Sequence, residues 1–262
     1  MFKFCSLYSG SSGNSSLVQS DTTKILIDAG QSTKKIIEAL ASINVDPATI
    51  DAIIITHEHS DHTKGLGNFS KKYEIPVYAN KETWNAMPKQ MEKINKENIK
   101  LFTFEDFKIG DIKIKAFPIP HDAANPCGFN LYHENKKMSL VTDIGHITPE
   151  IITNLKNSSF LLLESNYEPE ILKCSQYPYI LKERIKGPNG HLSNSDAGKA
   201  ISYLSSYGLK NVMLGHLSKE NNFPELAYKT VVNELIENNI SENIVSLNVA
   251  SRYDVSPMID IS

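Results

Sequence analysis

The chain has 262 residues and a formal net charge of −3, with 40% of its residues apolar and 22% charged. This balance is ordinary for a globular protein and excludes a largely disordered or membrane-embedded chain. The charge argues against a strongly basic nucleic-acid platform but allows a local basic patch. No run approaches the roughly 18 apolar residues that a membrane-spanning helix needs, and the amino terminus does not resemble a signal peptide.

The cysteines indicate a cellular compartment. Cys5, Cys127 and Cys174 are odd in number and widely spaced, so they form neither a disulfide framework nor a CxxC ligand pair. A reducing cytosol suits such a set, and we therefore predict a soluble cytoplasmic protein with no membrane partner.

The first third of the chain predicts mostly strands. FKFCSLY predicts a strand, a Ser/Gly loop (SGSSGNSS) follows, and SLVQSD and KILIDAG predict a hairpin. Ser32 is a suitable N-cap for a helix with apolar residues at helical spacing. The β-branched run AIIIT at 52–56 predicts a strand that is buried on both faces.

The rest of the chain predicts further strands and, near its end, alternating strands and helices. The middle third predicts a strand at IPVYAN, a polar, partly exposed helix over about 81–98, and two strand pairs in KIGDIKIKAFPI and FNLYHENKKMSLVTD. Strands at SFLLLES, NVMLGH and IVSLNVAS then alternate with helices over 195–207 and 224–239. This order predicts one α/β domain over residues 1–262, a four-layer αββα sandwich with two sheets face to face.

Histidines and acids follow several predicted strands directly. His57, His59 and His62 follow AIIIT, whereas His121 and His216 each follow a later strand. Two further strands end in Asp143 and Glu164. A lone histidine after a strand is usually a hydrogen-bonded loop residue, but loop composition explains a repeated pattern poorly. Strand ends of a sandwich converge on one rim, so we predict a site there.

The residue types in this set are those of a metal centre. Neutral imidazole and carboxylate ligate Zn²⁺, Mn²⁺ and Fe without any cysteine. His57 and His59 alternate in an extended segment and can reach one ion, whereas Asp61 and His62 face another direction and can hold a second. Asp143 suits a bridging position, because a carboxylate can give one oxygen to each ion.

The stretch THEHSDH at 56–62 resembles the HxHxDH signature of the metallo-β-lactamase superfamily. The resemblance extends over essentially the whole chain, since the later strand-end residues follow in the family's order and approximate spacing. It implies the metallo-β-lactamase fold and two divalent ions, with Asp28 steadying the HxHxDH loop. The implied ligands are His57, His59 and His121 for one ion, Asp61, His62 and His216 for the other, and Asp143 as the bridge.

Other segments resemble one branch of that superfamily. Glu164 and His191 lie in stretches similar to those of phosphodiesterase-type members, where such a pair serves proton transfer. The Ser/Gly loop at 9–16, HLSNSDAGKAI and HLSKENN resemble the bacterial YycJ/WalJ group of metal-dependent DNA exonucleases, which act from the 5′ end. Asp143 and His216 are 73 positions apart, a span already filled by predicted elements, so the β-CASP insertion of some nucleases is absent.

The resemblance implies a phosphodiesterase, expected to be a 5′-to-3′ exodeoxyribonuclease with DNA as partner and a water between the ions as nucleophile. In this interpretation Asp61 accepts a proton from that water, and His191, oriented by Glu164, protonates the leaving oxygen. The alternative is a small-molecule ester, lactone or thioester hydrolase, which predicts a closed pocket without basic residues. A degenerate regulatory protein and a flavodiiron-type redox protein are weaker readings, because the ligand set is complete and no flavin module is present.

Overall fold

A computed structural model describes residues 1–241 and 244–261, which divide into two compact units. The first unit comprises Met1–Pro118, Ala123–Asn135 and the carboxy-terminal residues from Ser251; the second comprises Ile119–Asp122 and Lys136–Ala250. None of the helices in the described ranges is long and apolar enough to cross a membrane.

The first unit contains an extended mixed sheet and a smaller antiparallel group of strands. Its strands are β1 Lys3–Tyr8, β2 Ser15–Gln19, β3 Lys24–Ile27, β4 Ala52–Ile54, β5 Val77–Ala79, β6 Ile99–Leu101, β7 Phe107–Ile109, β8 Ile112–Pro118 and β9 Cys127–His133. Its helices are α1 Thr33–Ser42, α2 Ser60–Thr63, α3 Leu66–Tyr73, α4 Lys81–Ala86 and α5 Pro88–Met91.

The pairing in this unit follows from its connections. β1, β2 and β3 pair antiparallel through short loops, whereas β3, β4, β5 and β6 are parallel and are joined by helical crossovers. β7, β8 and β9 form consecutive antiparallel pairs. Ser32 caps α1 as predicted, because its side chain accepts from the Lys35 N–H. β4 is fully buried, as its unbroken β-branched sequence predicts.

The second unit is a parallel sheet with helices between its strands. Its elements are β10 Lys136–Val141, α6 Pro149–Leu155, β11 Phe160–Glu164, α7 Pro169–Cys174, α8 Tyr179–Ile185, α9 Asn194–Ser205, β12 Asn211–Gly215, α10 Pro224–Glu237 and β13 Ser246–Val249. The ladder runs β10-β11-β12-β13, parallel throughout. A last strand, β14 Ile259–Asp260, belongs to the first unit and pairs antiparallel with β1.

The prediction of one polar, partly exposed helix over 81–98 is wrong in two respects. The segment forms two short helices instead, α4 and α5, because Pro88 cannot supply the backbone N–H that a continuous helix needs. Trp84 is buried rather than partly exposed, and its indole N–H donates to the Lys100 carbonyl 2.9 Å away. The indole couples an apolar ring to one hydrogen bond, which lets it pack in the core.

Candidate functional site

The first unit gathers four predicted ligands on the turn that leaves β4. His57 is fully buried, and its Nε2 lies 3.1 Å from Nδ1 of His59, the N-cap residue of α2. Asp61 and His62 follow within α2, and Asp61 Oδ2 lies 3.6 Å from His62 Nε2. The two pairs therefore each bring two donor atoms close together, as the spacing predicts.

Asp28, at the carboxyl end of β3, holds this turn in place. Its Oδ1 accepts from the Thr56 backbone N–H and its Oδ2 from the Thr56 hydroxyl, both at 2.9 Å. His62 Nδ1 lies 2.7 Å from the same Oδ2, and His57 Nδ1 lies 3.0 Å from the Thr56 oxygen. These partners favour the tautomer with a proton on each Nδ1, which leaves each Nε2 with the lone pair that binds a metal. Asp28 thus steadies the loop, as predicted.

The Ser/Gly loop packs against the same turn. Asn14 donates its backbone N–H to the Asp61 carbonyl at 2.7 Å, and its amide nitrogen lies 3.0 Å from His62 Nε2. Gly30 donates to the Asn14 carbonyl at 2.8 Å and lies so close that an added Cβ would stand 1.6 Å from the Asp61 carbonyl oxygen. Sequence reasoning missed Asn14 and Thr56; their only signal is their position beside the Ser/Gly loop and the HxHxDH motif.

The second unit gathers the other predicted residues at the edge of its parallel sheet. Asp143 follows β10, Glu164 ends β11 and His216 follows β12. Because these strands are adjacent and parallel, their carboxyl ends lie at the same edge of the sheet. Donor atoms of these three residues and of His191 all lie within 4.8 Å of one another.

Glu164 organises this group. It is fully buried, and its Oε1 accepts from His191 Nδ1 at 2.9 Å and from His216 Nδ1 at 2.7 Å. Its Oε2 accepts from the backbone N–H groups of Ile144 at 2.8 Å and Leu192 at 3.1 Å. The predicted contact with His191 is therefore present, but Glu164 also anchors the predicted ligand His216, which sequence reasoning missed.

The hydrogen bonds of Glu164 influence the charge of Glu164 itself and that of His191. Burial favours the neutral carboxyl, but the His191 and His216 imidazoles outweigh it and lower the pKa of Glu164. Burial likewise opposes a charged His191, yet the neighbouring Glu164 carboxylate raises the pKa of this histidine above its ordinary value. The geometry thus favours an ionised Glu164 beside a His191 that holds protons on both ring nitrogens.

His121 and Asp143 complete the second group. His121 is buried, which lowers its pKa and keeps the imidazole neutral. Its Nδ1 lies 3.1 Å from the Gly190 carbonyl, so Nδ1–H donates there, and its Nε2 lies 3.7 Å from Asp143 Oδ1. Asp143 Oδ1 also lies 3.4 Å from His216 Nδ1.

The donor chemistry of both groups fits divalent metal ions. Each group consists of imidazole nitrogens and carboxylate oxygens. In four of the histidines, His57, His62, His121 and His216, a hydrogen-bonding partner holds Nδ1, as in metal-binding histidine sites. Cys127 is not part of this chemistry. Its Sγ lies 3.4 Å from the Thr56 carbonyl, and complete burial raises its pKa well above the ordinary value, so it packs the core.

The family model of the metallo-β-lactamase superfamily matches residues 8–191. The chain belongs to this superfamily. Its members generally bind divalent metal ions, in keeping with the donor groups of each unit. Two relatives align with most of the chain. This chain is 41% identical over 259 residues to the exodeoxyribonuclease WalJ of Streptococcus pneumoniae serotype 2, and the alignment covers 98% of this chain and 95% of the relative. It is 40% identical to the exodeoxyribonuclease YycJ of Bacillus anthracis, covering 89% of both chains.

A solved structure of the superfamily confirms the predicted fold class. The metallo-β-lactamase fold protein YhfI from Bacillus subtilis superposes with a TM-score of 0.71 at 16% identity, covering 98% of this chain and 100% of that one. That protein is named for the metallo-β-lactamase fold, and the match covers the elements of both units. The segment between Asp143 and His216 contains β11, β12 and four helices, three more than predicted.

Proposed function

We propose that this chain is a metal-dependent exodeoxyribonuclease that removes nucleotides from the 5′ end of DNA in the cytoplasm. The observation that carries the proposal is the position of Glu164, which accepts hydrogen bonds from the predicted proton donor His191 and the predicted ligand His216. The exodeoxyribonuclease names of two relatives at 40–41% identity support the reaction class. We propose further that residues 1–262 act as a single domain, since these relatives align with both units.

Two divalent ions, Zn, Mn or Fe, are proposed from the family resemblance. His57, His59 and His121 would hold the first, Asp61, His62 and His216 the second, and Asp143 would bridge. The neutral tautomers favoured within each unit support these roles. When bound, the ions would acidify a water and neutralise the charge of the phosphate.

The residues of the chain divide the proton transfers between them. Asp61, whose side chain is partly exposed, would accept a proton from the attacking water at a carboxylate oxygen. His191 Nδ1 donates to Glu164 Oε1, so the proton on Nε2 is the one it would give to the leaving oxygen. Glu164 would act through His191 as a positioning residue, because it is fully buried and accepts from His191 Nδ1.

Basic side chains near the second unit's group favour a phosphodiester over a neutral ester. Arg184 Nε donates to Asp122 Oδ2 at 2.6 Å, immediately after the predicted ligand His121. Lys182 and Lys186 lie on the same segment of chain as Arg184 and line a cavity there. A hydrolase of uncharged lactones or thioesters has no need of such charges.

The test compares substrates and label positions. The purified chain, loaded with Mn²⁺, Zn²⁺ or Fe²⁺ in turn, is incubated with single- and double-stranded DNA and RNA labelled at either end, and with a lactone and a thioester. We expect a 5′ label on DNA to be released at once as a mononucleotide, while a 3′ label moves gradually into shorter products. Turnover of the esters with no cleavage of any nucleic acid would overturn the proposal.

A further inference from the structure

Two buried asparagines lie beside the side chains that Glu164 organises. They are Asn194, the first residue of α9, and Asn222, which precedes α10. Their amides bond to each other in both directions, since Asn194 Nδ2 donates to Asn222 Oδ1 at 3.1 Å and Asn222 Nδ2 donates to Asn194 Oδ1 at 2.8 Å. We propose that this asparagine pair fixes the geometry around Glu164 and that its two members are positioning residues for the reaction. The catalytic consequence rests on the proposed function.

The asparagine pair holds the segment that follows Glu164. Asn222 Nδ2 donates to the Ser165 carbonyl at 2.9 Å and to the Asn166 carbonyl at 3.1 Å. The Ser165 hydroxyl donates to Asn194 Oδ1 at 2.6 Å. Ser165 is fully buried and comes directly after Glu164 in the chain. Both members of the pair therefore restrain the backbone next to the Glu164 carboxylate.

A third asparagine carries this restraint to His216. Asn166 Nδ2 donates to the His216 carbonyl at 2.7 Å, and the Asn166 carbonyl accepts from the Ser218 N–H at 2.7 Å. His216 has a φ of 53°, a left-handed conformation that a residue with a Cβ disfavours. The amide therefore stabilises the turn from which His216 Nδ1 donates to Glu164 Oε1 at 2.7 Å.

The segment that carries His191 is bonded to the same place. The Asn166 N–H donates to the carbonyl of Leu192, the residue after His191, at 2.8 Å. Asn194 Nδ2 donates to Glu168 Oε2 at 3.0 Å. Residues 192 and 194 are therefore both attached to the segment that follows β11, at whose end the Glu164 carboxylate lies.

Side-chain amides suit this position better than apolar side chains would. Ser165 and Asn166 are buried, and a buried carbonyl that lacks a donor costs free energy comparable with that of a lost hydrogen bond. One asparagine supplies two N–H donors and an acceptor on a short side chain, so a pair can join three segments at once. A bonded network of this kind favours a single arrangement, on which proton transfer between fixed groups depends.

The test measures geometry separately from catalysis. His191 and His216 each donate an Nδ1–H to Glu164, and imidazole protons bonded to a carboxylate resonate at low field in NMR spectra. These signals are recorded with the full-length, Zn²⁺-loaded protein containing isotope-labelled histidine, and the His191 signal is assigned by its loss in His191→Ala. Values of kcat and KM on DNA are measured with the same preparations.

The variants are Asn222→Ala, Asn194→Ala, the double variant and Ser165→Ala. Asn221→Ala is the matched control, because Asn221 is a neighbouring and fully buried asparagine. Among the contacts described, its side chain donates only to Ser218 Oγ at 3.3 Å and does not reach the asparagine pair.

We expect Asn222→Ala to lower kcat about tenfold or more, to change KM by less than about twofold, and to shift both low-field signals. The double variant should lose about as much as the more damaging single variant, since the two amides act as one unit. Ser165→Ala removes one hydrogen bond and should lower kcat by about fivefold or less. Asn221→Ala should keep both the rate and the signals.

Full activity and unmoved signals in Asn222→Ala would overturn the inference. An equal loss in Asn221→Ala would do so too, because it would show that any buried amide is needed for stability alone. If Asn222→Ala does not fold, unchanged kcat and signals in Ser165→Ala overturn it instead. If the wild-type chain cleaves no DNA, the proposed function fails, whereas signals that shift in Asn222→Ala and not in Asn221→Ala still support the asparagine pair.

Discussion

At the residue scale, the predicted site residues include three that adopt a left-handed backbone without being glycine. Asp28, Asp143 and His216 have φ values of 61°, 58° and 53°. Each follows a strand that is paired in parallel, at the point where the chain turns away from the sheet. This conformation costs about 1–2 kcal/mol for an ordinary residue and is often retained at functional sites. These three turns are therefore strained, and they place polar side chains at the edge of the sheet.

The shared role of Glu164 separates two substitutions that sequence reasoning alone would treat alike. His191→Ala removes the proton donor but no predicted ligand, so metal content should persist while turnover falls by about two decades or more. Glu164→Gln cannot accept all four N–H donors, since one oxygen becomes an amide that itself donates. It should lose turnover and also bind metal about 10–100-fold more weakly. Initial rates and metal analysis after dialysis measure the two effects.

His146→Ala is the matched control for this pair. His146 is an exposed histidine three residues after Asp143, and its Nδ1 bonds only to the nearby Pro188 carbonyl among the contacts described. It should keep both metal and rate. A Glu164→Gln protein with full metal content would show that Glu164 serves His191 alone.

At the element scale, the close contact between the Ser/Gly loop and α2 depends on Gly30. An alanine there would place Cβ 1.6 Å from the Asp61 carbonyl oxygen and 2.6 Å from the Asn14 nitrogen. Both neighbours are backbone atoms fixed by hydrogen bonds, so neither can move aside freely. We expect Gly30→Ala to lower the free energy of unfolding by about 3 kcal/mol or more, measured by urea denaturation.

Gly208→Ala provides the comparison for that prediction. Gly208 has a φ of +84°, but an added Cβ would meet no atom of the described residues within 4 Å. It should cost only about 1 kcal/mol, the backbone strain alone. The φ of Gly30 lies outside the left-handed region, so equal losses for the two glycines would contradict the close approach that we describe at Gly30.

The helices and strands differ in how well the sequence could predict them. Strands with continuous apolar runs, such as β4 and β11, and the N-cap at Ser32 were predictable because burial and capping are local properties. The short helices α6, α7 and α8 were missed, since six or seven residues give too little periodicity to recognise. The HxHxDH motif predicted the donor atoms, but Asn14 and the double role of Glu164 depend on contacts between distant segments. Such contacts leave no local pattern.

At the scale of the whole molecule, the net charge of −3 gives no general attraction for DNA. A local pair of basic groups lies in the last turn of α8 at Lys182 and Arg184. Binding that depends on a few local contacts is expected to be specific in position and to vary only weakly with salt, because the salt dependence scales with the number of phosphates contacted. The acidic remainder of the surface then limits non-specific binding, which suits an enzyme that acts only at strand ends.

The three free thiols report on the integrity of the fold. Cys5 and Cys127 are buried in the first unit, and burial raises the pKa of Cys5 to about 11 and that of Cys127 well above its ordinary value. Cys174, at the end of α7, is exposed. Because the thiolate is the reactive form, dithiobis-nitrobenzoate at pH 8 should label one thiol quickly in the native protein and all three in urea.

Cys174→Ser should abolish the fast phase and leave two thiols that react only on unfolding. Burial and a raised pKa both keep these two thiols unreactive. Unfolding removes both effects, because it exposes the sulfur and returns its pKa toward about 8.5. The slow labelling rate should therefore follow the opening of the first unit, and it should rise with urea well below the midpoint of denaturation. Fast labelling of two or more thiols in the native protein would contradict the burial of Cys5 or Cys127. If the second fast thiol were Cys127, the result would also contradict its packing against Thr56, the residue that steadies His57.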